Sequence, residues 1–392
     1  SSYHAFLNGL LTEAKDRLTA QAINHEAITI SLSETTSLHL LLLHFSDIGR
    51  HRYSGVFLLH ETGQPPKNIA FLELVEQILK HFYLDVDSGK KQRFLTRLKQ
   101  SNAHILNTTS VNKTLPLTPD FIASEQGLLG GHSMHPCPKS SEPLTPEEQT
   151  TYLPDYHQTF TIVWYAVKTT HLAGEAVEDE LIPQLRAFFA EQTHPKHLKH
   201  LSDEWVPIPM HPLQAKYWDT CKEAKALDKI AIPLNIESTG WQATSSTRAI
   251  YHPTSPWMLK MSLPVKLTNS LRLLSQNEAN RGIQMSKMLK TPAGIEFKQR
   301  TPNLCIIEEP MWCGIKAENG LVIPLSICTF RQNPFVATPQ SPNQLLATAN
   351  QMCEVNGTHT TQVAQWVQHT AQRKQIPLGQ AAKLWCRYFI DN

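Results

Sequence analysis

The stretch from Trp241 to Asn277 contains Arg248, Lys260, Lys266 and Arg272 but no Asp or Glu. A positive surface without an internal counter-ion calls for an external anion. Within it, "STRAIYHPTSPWMLK" (246–260) is symmetric about Thr254, matching Tyr251 with Trp257, Ala249 with Leu259 and Arg248 with Lys260. Read as a hairpin closed by the turn-forming 252–256, this sets two cations opposite each other, where like charges repel. Side chains alternate along a strand, so Thr247, Ala249, Tyr251, Trp257, Leu259, Met261 and Leu263 would face a core. Ser246, Arg248, Ile250, Met258, Lys260 and Ser262 would share the other side. That polar side reads either as an ordinary solvated surface or as an anion site, and the missing acids favour the anion.

A second cluster, "GGHSMHPCPKSSEP" (130–143), brings His132, His135, Cys137 and Lys139 close together in sequence. It reads as a soft-metal site built on His-x-x-His-x-Cys, as an ordinary surface loop, or as a loop of donors for an anion. A structural metal site wants about four ligands, each oriented by a further hydrogen-bond partner, and no partner Cys or His pair at zinc-like spacing lies nearby. No metal ligand is assigned.

These clusters must be held by elements, and composition bounds what the elements can build. At 392 residues the chain is expected to form roughly two or three domains, and its 41% apolar fraction suffices for packed cores. A net charge of +2 excludes a generic nucleic-acid binder. The longest apolar run, "LHLLLLHF" (38–45), is far short of the roughly 20 residues of a membrane span. The first residues lack a signal-peptide layout. Seven Cys, scattered and without Cys-x-x-Cys, point to free thiols in a reducing compartment, by default the cytoplasm.

Helical spacing appears at 6–18, 69–82 and 91–105, with a strand at "YSGVFLLH". From about 113 strand formers dominate: "TFTIVWYAVK", "KIAIPLNI", the hairpin, "LCIIEEP" and "LVIPLSICTF". Capping boxes at Thr145…Glu148 and Ser275…Glu278 start helices between them. The pattern predicts a mixed, mainly antiparallel sheet with packed helices. After about 335 it turns helical again, from Ser341-Pro-Asn-Gln344 onward, and ends in the amphipathic "PLGQAAKLWCRYFIDN". Because that last helix has no trailing loop, the chain is expected to be cut from something longer.

In order along the chain, these segments resemble one family, the NRPS-independent siderophore synthetases of the aerobactin synthetase type. Its Gly-His-Pro-x-His-Pro-x-x-Lys segment stands here as Gly131, His132, Ser133, Met134, His135, Pro136, Cys137, Pro138 and Lys139. Ser133 replaces the first Pro, and Ser141 and Pro143 replace the usual Arg and Gly. The family's His-Pro-x-Gln is His211, Pro212 and Gln214. Its Ser-x-Arg is Ser246, Thr247 and Arg248, and "KMSLPVKLTNSLR" from Lys260 to Arg272 follows. This last match is long and ordered, and the resemblance covers nearly all of the chain.

The resemblance implies an α+β protein likened to a cupped hand. A helical thumb would span 1–112, a fingers domain of mixed, mainly antiparallel sheet 113–335, and the helical start of a palm 336–392. It implies an ATP-dependent acid-amine ligase of siderophore biosynthesis, acting on a carboxylate of citrate or a citrate derivative. The acid would be activated as an acyl adenylate and passed to an amine or hydroxyl, releasing AMP and pyrophosphate. By carry-over, Ser246, Thr247, Arg248, Lys260, Asn269 and Arg272 meet the nucleotide, and Ser246 and Arg272 also meet the substrate. His135, Arg248, Lys260 and Arg272 serve catalysis, while His132 and Lys139 shape their loop around the cofactor. Mg²⁺ is expected on the nucleotide; Glu308 and Glu309 are candidate ligands, although an acid pair at a strand end is more often solvated. Family members are frequently dimers, so a homodimer is expected, with neither nucleic acid nor membrane as partner.

Elementary chemistry supports the same roles, since carboxylate attack on an α-phosphorus brings two anions together and needs preorganised positive donors. Arginine offers a bidentate fork and lysine a point charge. The palm's usual His-x-Gln-Asn segment has no match after 335; "VQHTAQR" (367–373) does not fit it. A piece of the ligase lacking part of its site is therefore expected. A non-catalytic binder of nucleotide or an anionic metabolite, and a metal module using His132, His135 and Cys137, remain as alternatives.

Overall fold

The computed structural model describes residues 2–14, 18, 20–23, 25–111, 117, 119–336 and 361–391. The predicted helix from Ser341 lies outside them. The chain forms two compact units; 128–141 belongs to the first, whereas the change of texture at 113 had assigned it to the second.

The first unit is built on a five-stranded antiparallel meander: Ala20–Ile23, Ala27–Ser31, Thr36–His44, Arg52–Glu61 and Lys67–Ile69. Alternation in the third strand sends Leu38 and Leu40 inward, where Tyr53, Phe57 and Ile30 meet them. Helices Ser2–Glu13, Phe71–Phe82 and Ser88–Val111 contribute Phe6, Leu7, Leu74, Val75, Ile78 and Leu98 to that core. The helical thumb expected here is thus helices on a sheet, because the apolar runs at 28–30 and 36–44 have period two.

In the second unit eight antiparallel strands form one sheet. Their order is Leu172–Ala176, Met311–Ile315, Cys328–Gln332, Trp257–Met261, Ala249–Tyr251, Ala231–Ala243, Thr159–Lys168 and Trp205–Met210. Helix Leu181–Gln192 buries Leu185, Phe188 and Phe189 against one face, with Phe188 touching Trp164, Trp241 and Phe330. Helix Gln276–Leu289 covers part of the other, packing Ala279 and Ile283 on Trp312 and Ile327. Both predicted capping boxes form, Thr145 with Glu148 and Ser275 with Glu278. The sheet's second face, beside the end of that helix, carries the cations.

The hairpin's register differs from the symmetric reading by one residue. Ala249 pairs with Lys260 and Ile250 with Leu259, and the Met261 N–H donates to the Arg248 carbonyl at 2.7 Å. Arg248 is therefore not opposite Lys260. Instead of a loop centred on Thr254, a turn spans 252–255, with the Ser255 N–H donating to the His252 carbonyl, and Asn333 clamps both the His252 and Ser255 carbonyls. A one-residue slip exchanges faces. Ile250 joins Leu259 and Met261 in the main core, while Ala249, Tyr251 and Met258 are buried on the face of Lys260. Two-sided burial removed the alternation on which the symmetric pairing rested.

Candidate active site

Lys260 rises from the strand Trp257–Met261 in a row with Thr329 and Trp312 on the next two strands. Its ammonium lies 3.1 Å from both carboxylate oxygens of Glu309. Arg331, diagonal to Lys260 across the same strand pair, donates to Glu309 Oε1 from Nε at 3.1 Å and from Nη2 at 2.6 Å. Lys260 therefore has a counter-ion, drawn from outside the acid-free window. Burial opposes ionisation of Glu309, but Lys260 and then Arg331 hold its carboxyl below the usual range. Neither acid of the 308–309 pair is solvated: Glu308 is 7% exposed and bonded to Lys298 at 2.7 Å. Each acid is paired with a cation, Glu308 through Oε1 alone with Oε2 buried and unpaired, and the described residues include no group of three or more His, Cys, Asp or Glu that could hold a metal. The acid pair does not fit a Mg²⁺ site.

Arg248 and Arg272 arrive from the loops on either side of that strand. Arg248 follows a tight turn in which Thr244 Oγ1 donates to the Ala249 carbonyl at 2.8 Å and Ser246 Oγ accepts the Ala249 N–H at 3.1 Å. The turn forces Thr247 to φ 64°, costly for a β-branched residue by about 1–3 kcal/mol, and buries it to 3% exposure. Ser246 thus spends its hydroxyl's acceptor on the turn, and Thr247 is an inward-facing part of it. Arg272 is held by its backbone, accepting from Leu263 at 3.1 Å and donating to Val265 at 2.9 Å. Asn269 stands exposed at the tip of the hairpin Lys266–Leu267/Ser270–Leu271.

Two like charges meet here. Burial, then the field of Arg248, pushes Arg272 below the usual arginine value, and its Nε is buried with no hydrogen-bond partner. Thr329 Oγ1 and Trp312 Nε1, in the row of Lys260, are likewise buried and unpaired. Glu278, the helix-capping acid, is opposed by burial but brought below the usual range by Ser275 and by the fields of Arg248 and Lys260. Four cations thus face two carboxylates on one partly dry surface, with donor capacity left over. Such a surface can neutralise a polyanion. Of the other charged groups here, Arg331 carries no signal in the sequence, Glu309 reads there as a candidate metal ligand and Glu278 as a helix cap; only the strand order brings Glu309 and Arg331 to Lys260.

In the first unit the 130s loop is fixed by its own backbone. Gly131 adopts φ 71°, where an added Cβ would lie 2.8 Å from the Pro138 carbonyl oxygen. His132 Nδ1 accepts the Met134 N–H at 3.2 Å and His135 Nδ1 the Cys137 N–H at 3.0 Å. An N–H can be donated only to an unprotonated ring nitrogen, so both imidazoles carry their proton on Nε2. Burial, with His132 and Arg97 adding to it, pushes His135 below the ordinary histidine pKa. The Lys139 N–H anchors on Ser101 Oγ at 3.0 Å. Cys137 is buried in the apolar core, which argues against its sharing a metal with the two histidines.

His211, Pro212 and Gln214 form a helix cap. His211 Nδ1 accepts the Leu213 N–H at 3.1 Å, Gln214 Oε1 accepts the His211 N–H at 3.2 Å, and the ring is fully buried between Tyr152 and Phe160.

Comparison with known proteins bears on these sites. The family model described as "IucA / IucC family" matches residues 120–354. The chain is 31% identical to N(2)-citryl-N(6)-acetyl-N(6)-hydroxylysine synthase of Escherichia coli, over 97% of this chain and 67% of that protein. It is 28% identical to the spermidine-citrate ligase of Bacillus anthracis, over 58% of this chain and 38% of that protein. Among solved structures, ATP-bound aerobactin synthetase IucA from Klebsiella pneumoniae superposes with a TM-score of 0.88 at 28% identity, covering 97% of this chain and 69% of that one.

Proposed function

Because the chain belongs to the IucA / IucC family, we propose that it is an ATP-dependent ligase of citrate-based siderophore biosynthesis. It activates a carboxylate of citrate or a citrate derivative and condenses it with an amine. In the first step a carboxylate oxygen attacks the α-phosphorus and pyrophosphate leaves; in the second the amine nitrogen attacks the acyl carbon and AMP leaves. Both steps concentrate negative charge on phosphate oxygens. The observation that carries this reading is the Arg248–Arg272 repulsion beside Lys260, with Arg272 Nε buried and unpaired. That repulsion is relieved when a polyanion lies between them.

On this reading Arg248, Lys260 and Arg272 bind the triphosphate and stabilise the charge that develops at the α-phosphorus. His135 meets a phosphate oxygen as an Nε2–H donor. Ser246 Oγ donates to Thr244 Oγ1 at 3.2 Å, since the threonine's own proton goes to the Ala249 carbonyl, and it meets nucleotide or substrate by turning that proton away from Thr244. Thr247 acts by setting the turn, Gly131, His132 and Lys139 by shaping the 130s loop, and Asn269 from the hairpin tip. Mg²⁺ accompanies the nucleotide, but no step is assigned to it, since the acid pair that was its candidate is taken by cations. The described helices are none of them long and apolar enough to cross a membrane, and the reading places the enzyme in the cytoplasm with its ATP.

Citrate-dependent release of pyrophosphate from ATP tests the proposal. Arg248→Ala should lower it about 10²–10³-fold, the usual effect of removing one transition-state donor. ATP binding without pyrophosphate release on any carboxylic acid tried would make the protein a binder instead.

A further inference from the structure

Glu309 is assigned no part in the reaction above, yet it has the most constrained carboxylate on the cationic face. It is 12% exposed, Lys260 17% and Arg331 29%. Lys260 and Arg331 occupy diagonal positions on one side of neighbouring strands, where two cations alone would repel. The carboxylate between them is itself held from above. A Cβ on Gly282 of the helix Gln276–Leu289 would come within 3.0 Å of Glu309 Cβ and 3.1 Å of Oε2. The helix thus reaches the acid only because that position is glycine.

The sharing of oxygens is unequal. Arg331 directs both of its bonds to Oε1, whereas Lys260 lies 3.1 Å from each oxygen and is the cation that reaches Oε2. An ammonium has three donors, and a long lysine side chain is costly to order. The carboxylate therefore fixes Lys260 Nζ at one place while leaving donor capacity for a ligand. When an anion draws the ammonium away, Arg331 still satisfies the acid, so no unpaired buried charge is left behind.

Resting on the proposed ligase reading, we propose that Glu309 is the positioning residue for Lys260. It holds the ammonium at the phosphate site, competes with the anion for it, and is kept paired by Arg331 as Lys260 turns to the ligand. A structural ion pair would contribute only stability. A positioning carboxylate that competes predicts opposite effects from its two neighbours.

The test measures equilibrium binding of ATP and of inorganic tripolyphosphate, together with citrate-dependent pyrophosphate release, for wild type, Glu309→Gln and Arg331→Met. In Glu309→Gln the anions should bind roughly five- to tenfold tighter, the scale of a typical coupling between sites. Its kcat should fall at least about tenfold because the freed lysine is no longer aimed. In Arg331→Met, where Lys260 alone pairs with Glu309, anion affinity should weaken by a similar factor. Weaker binding in both variants, or no change in either, overturns the proposal. If Glu309→Gln does not fold, the direction of the Arg331→Met shift decides. Opposite shifts in tripolyphosphate affinity without pyrophosphate release in wild type would uphold the role of Glu309 at an anion site and remove the ligase reading.

Discussion

The backbone N–H of Cys137 donates to Nδ1 of His135 at 3.0 Å, and this contact decides what the imidazole can do. The same bond from residue i+2 recurs at His132, His194, His211 and His252. In four of the five cases, His135 among them, proline follows the histidine, so the i+1 position has no N–H to compete. With Nδ1 filled, His135 is neutral and offers an Nε2–H, which suits it to donate to a phosphate oxygen and not to take a proton.

His135→Asn should separate these roles. Asparagine is a good capping residue, so its side-chain oxygen can accept the Cys137 N–H and the loop should stay folded. Its own Nδ2–H donors sit closer to the backbone than Nε2 and fall short of where the imidazole N–H reaches, so pyrophosphate release should fall by about 10²-fold or more. His135→Ala should lose the cap as well and melt at a lower temperature than His135→Asn. Equal activity in wild type and His135→Asn would remove the imidazole from the phosphate site.

The buried His211 gives the second unit an acid-labile anchor. Burial lowers its pKa to about 3. An unfolded histidine takes up a proton near pH 6.5, so between that value and about 3 the unfolded state binds more protons. The stability that depends on the neutral ring is whole above pH 6.5. It is lost as pH falls, by up to about 1.4 kcal/mol per pH unit. His4 acts similarly in the first unit, where burial lowers it to about 4. His211→Asn should cost about 1–3 kcal/mol at pH 7 through lost packing on Tyr152 and Phe160, and should flatten the fall between pH 6.5 and 4.5. Urea midpoints at these pH values check both signs; an unchanged slope would mean that His211 does not carry the acid sensitivity.

Much of this was legible in sequence because local rules and global fold agree there. The capping boxes at Thr145 and Ser275 are read directly from residue types, and "TFTIVWYAVK" is a strand over its whole length. Periodicity failed where both faces of a strand are buried, as in Ala249–Tyr251, since alternation then carries no information on register. The Lys260 site was half legible. Its cations cluster in sequence, but Glu309 is 49 positions away from Lys260 and reaches it through a strand order that residue types do not encode. His211 was visible as a motif, while its role as a cap emerges only with the ring buried.

Glycine at position 9 lies within helix Ser2–Glu13, where alanine would ordinarily add up to about 1 kcal/mol of helix stability. Here the sign should reverse. A Cβ would stand 2.5 Å from the Met134 carbonyl oxygen, on the loop that carries His132 and His135. Gly9→Ala must push that loop off the helix, so it should lower the melting temperature and reduce activity together. A stabilised, fully active Gly9→Ala would show that the loop does not depend on this close approach.

Arg272 puts function against stability at a single side chain. Its guanidinium is partly desolvated, repelled by Arg248 and incompletely bonded, all of which disfavour the ligand-free state. Arg272→Met keeps much of the apolar stem while removing the charge, so the ligand-free protein should melt at a higher temperature than wild type. The wild type should recover the difference on adding tripolyphosphate, which binds the folded state, whereas Arg272→Met should respond little. Raising the salt should mimic part of this effect by screening the Arg248–Arg272 repulsion, and should weaken tripolyphosphate binding at the same time. Pyrophosphate release by Arg272→Met should drop about 10²–10³-fold. A melting temperature that falls in Arg272→Met, with the tripolyphosphate response intact, would mean that Arg272 is a structural residue and that the polyanion is held elsewhere.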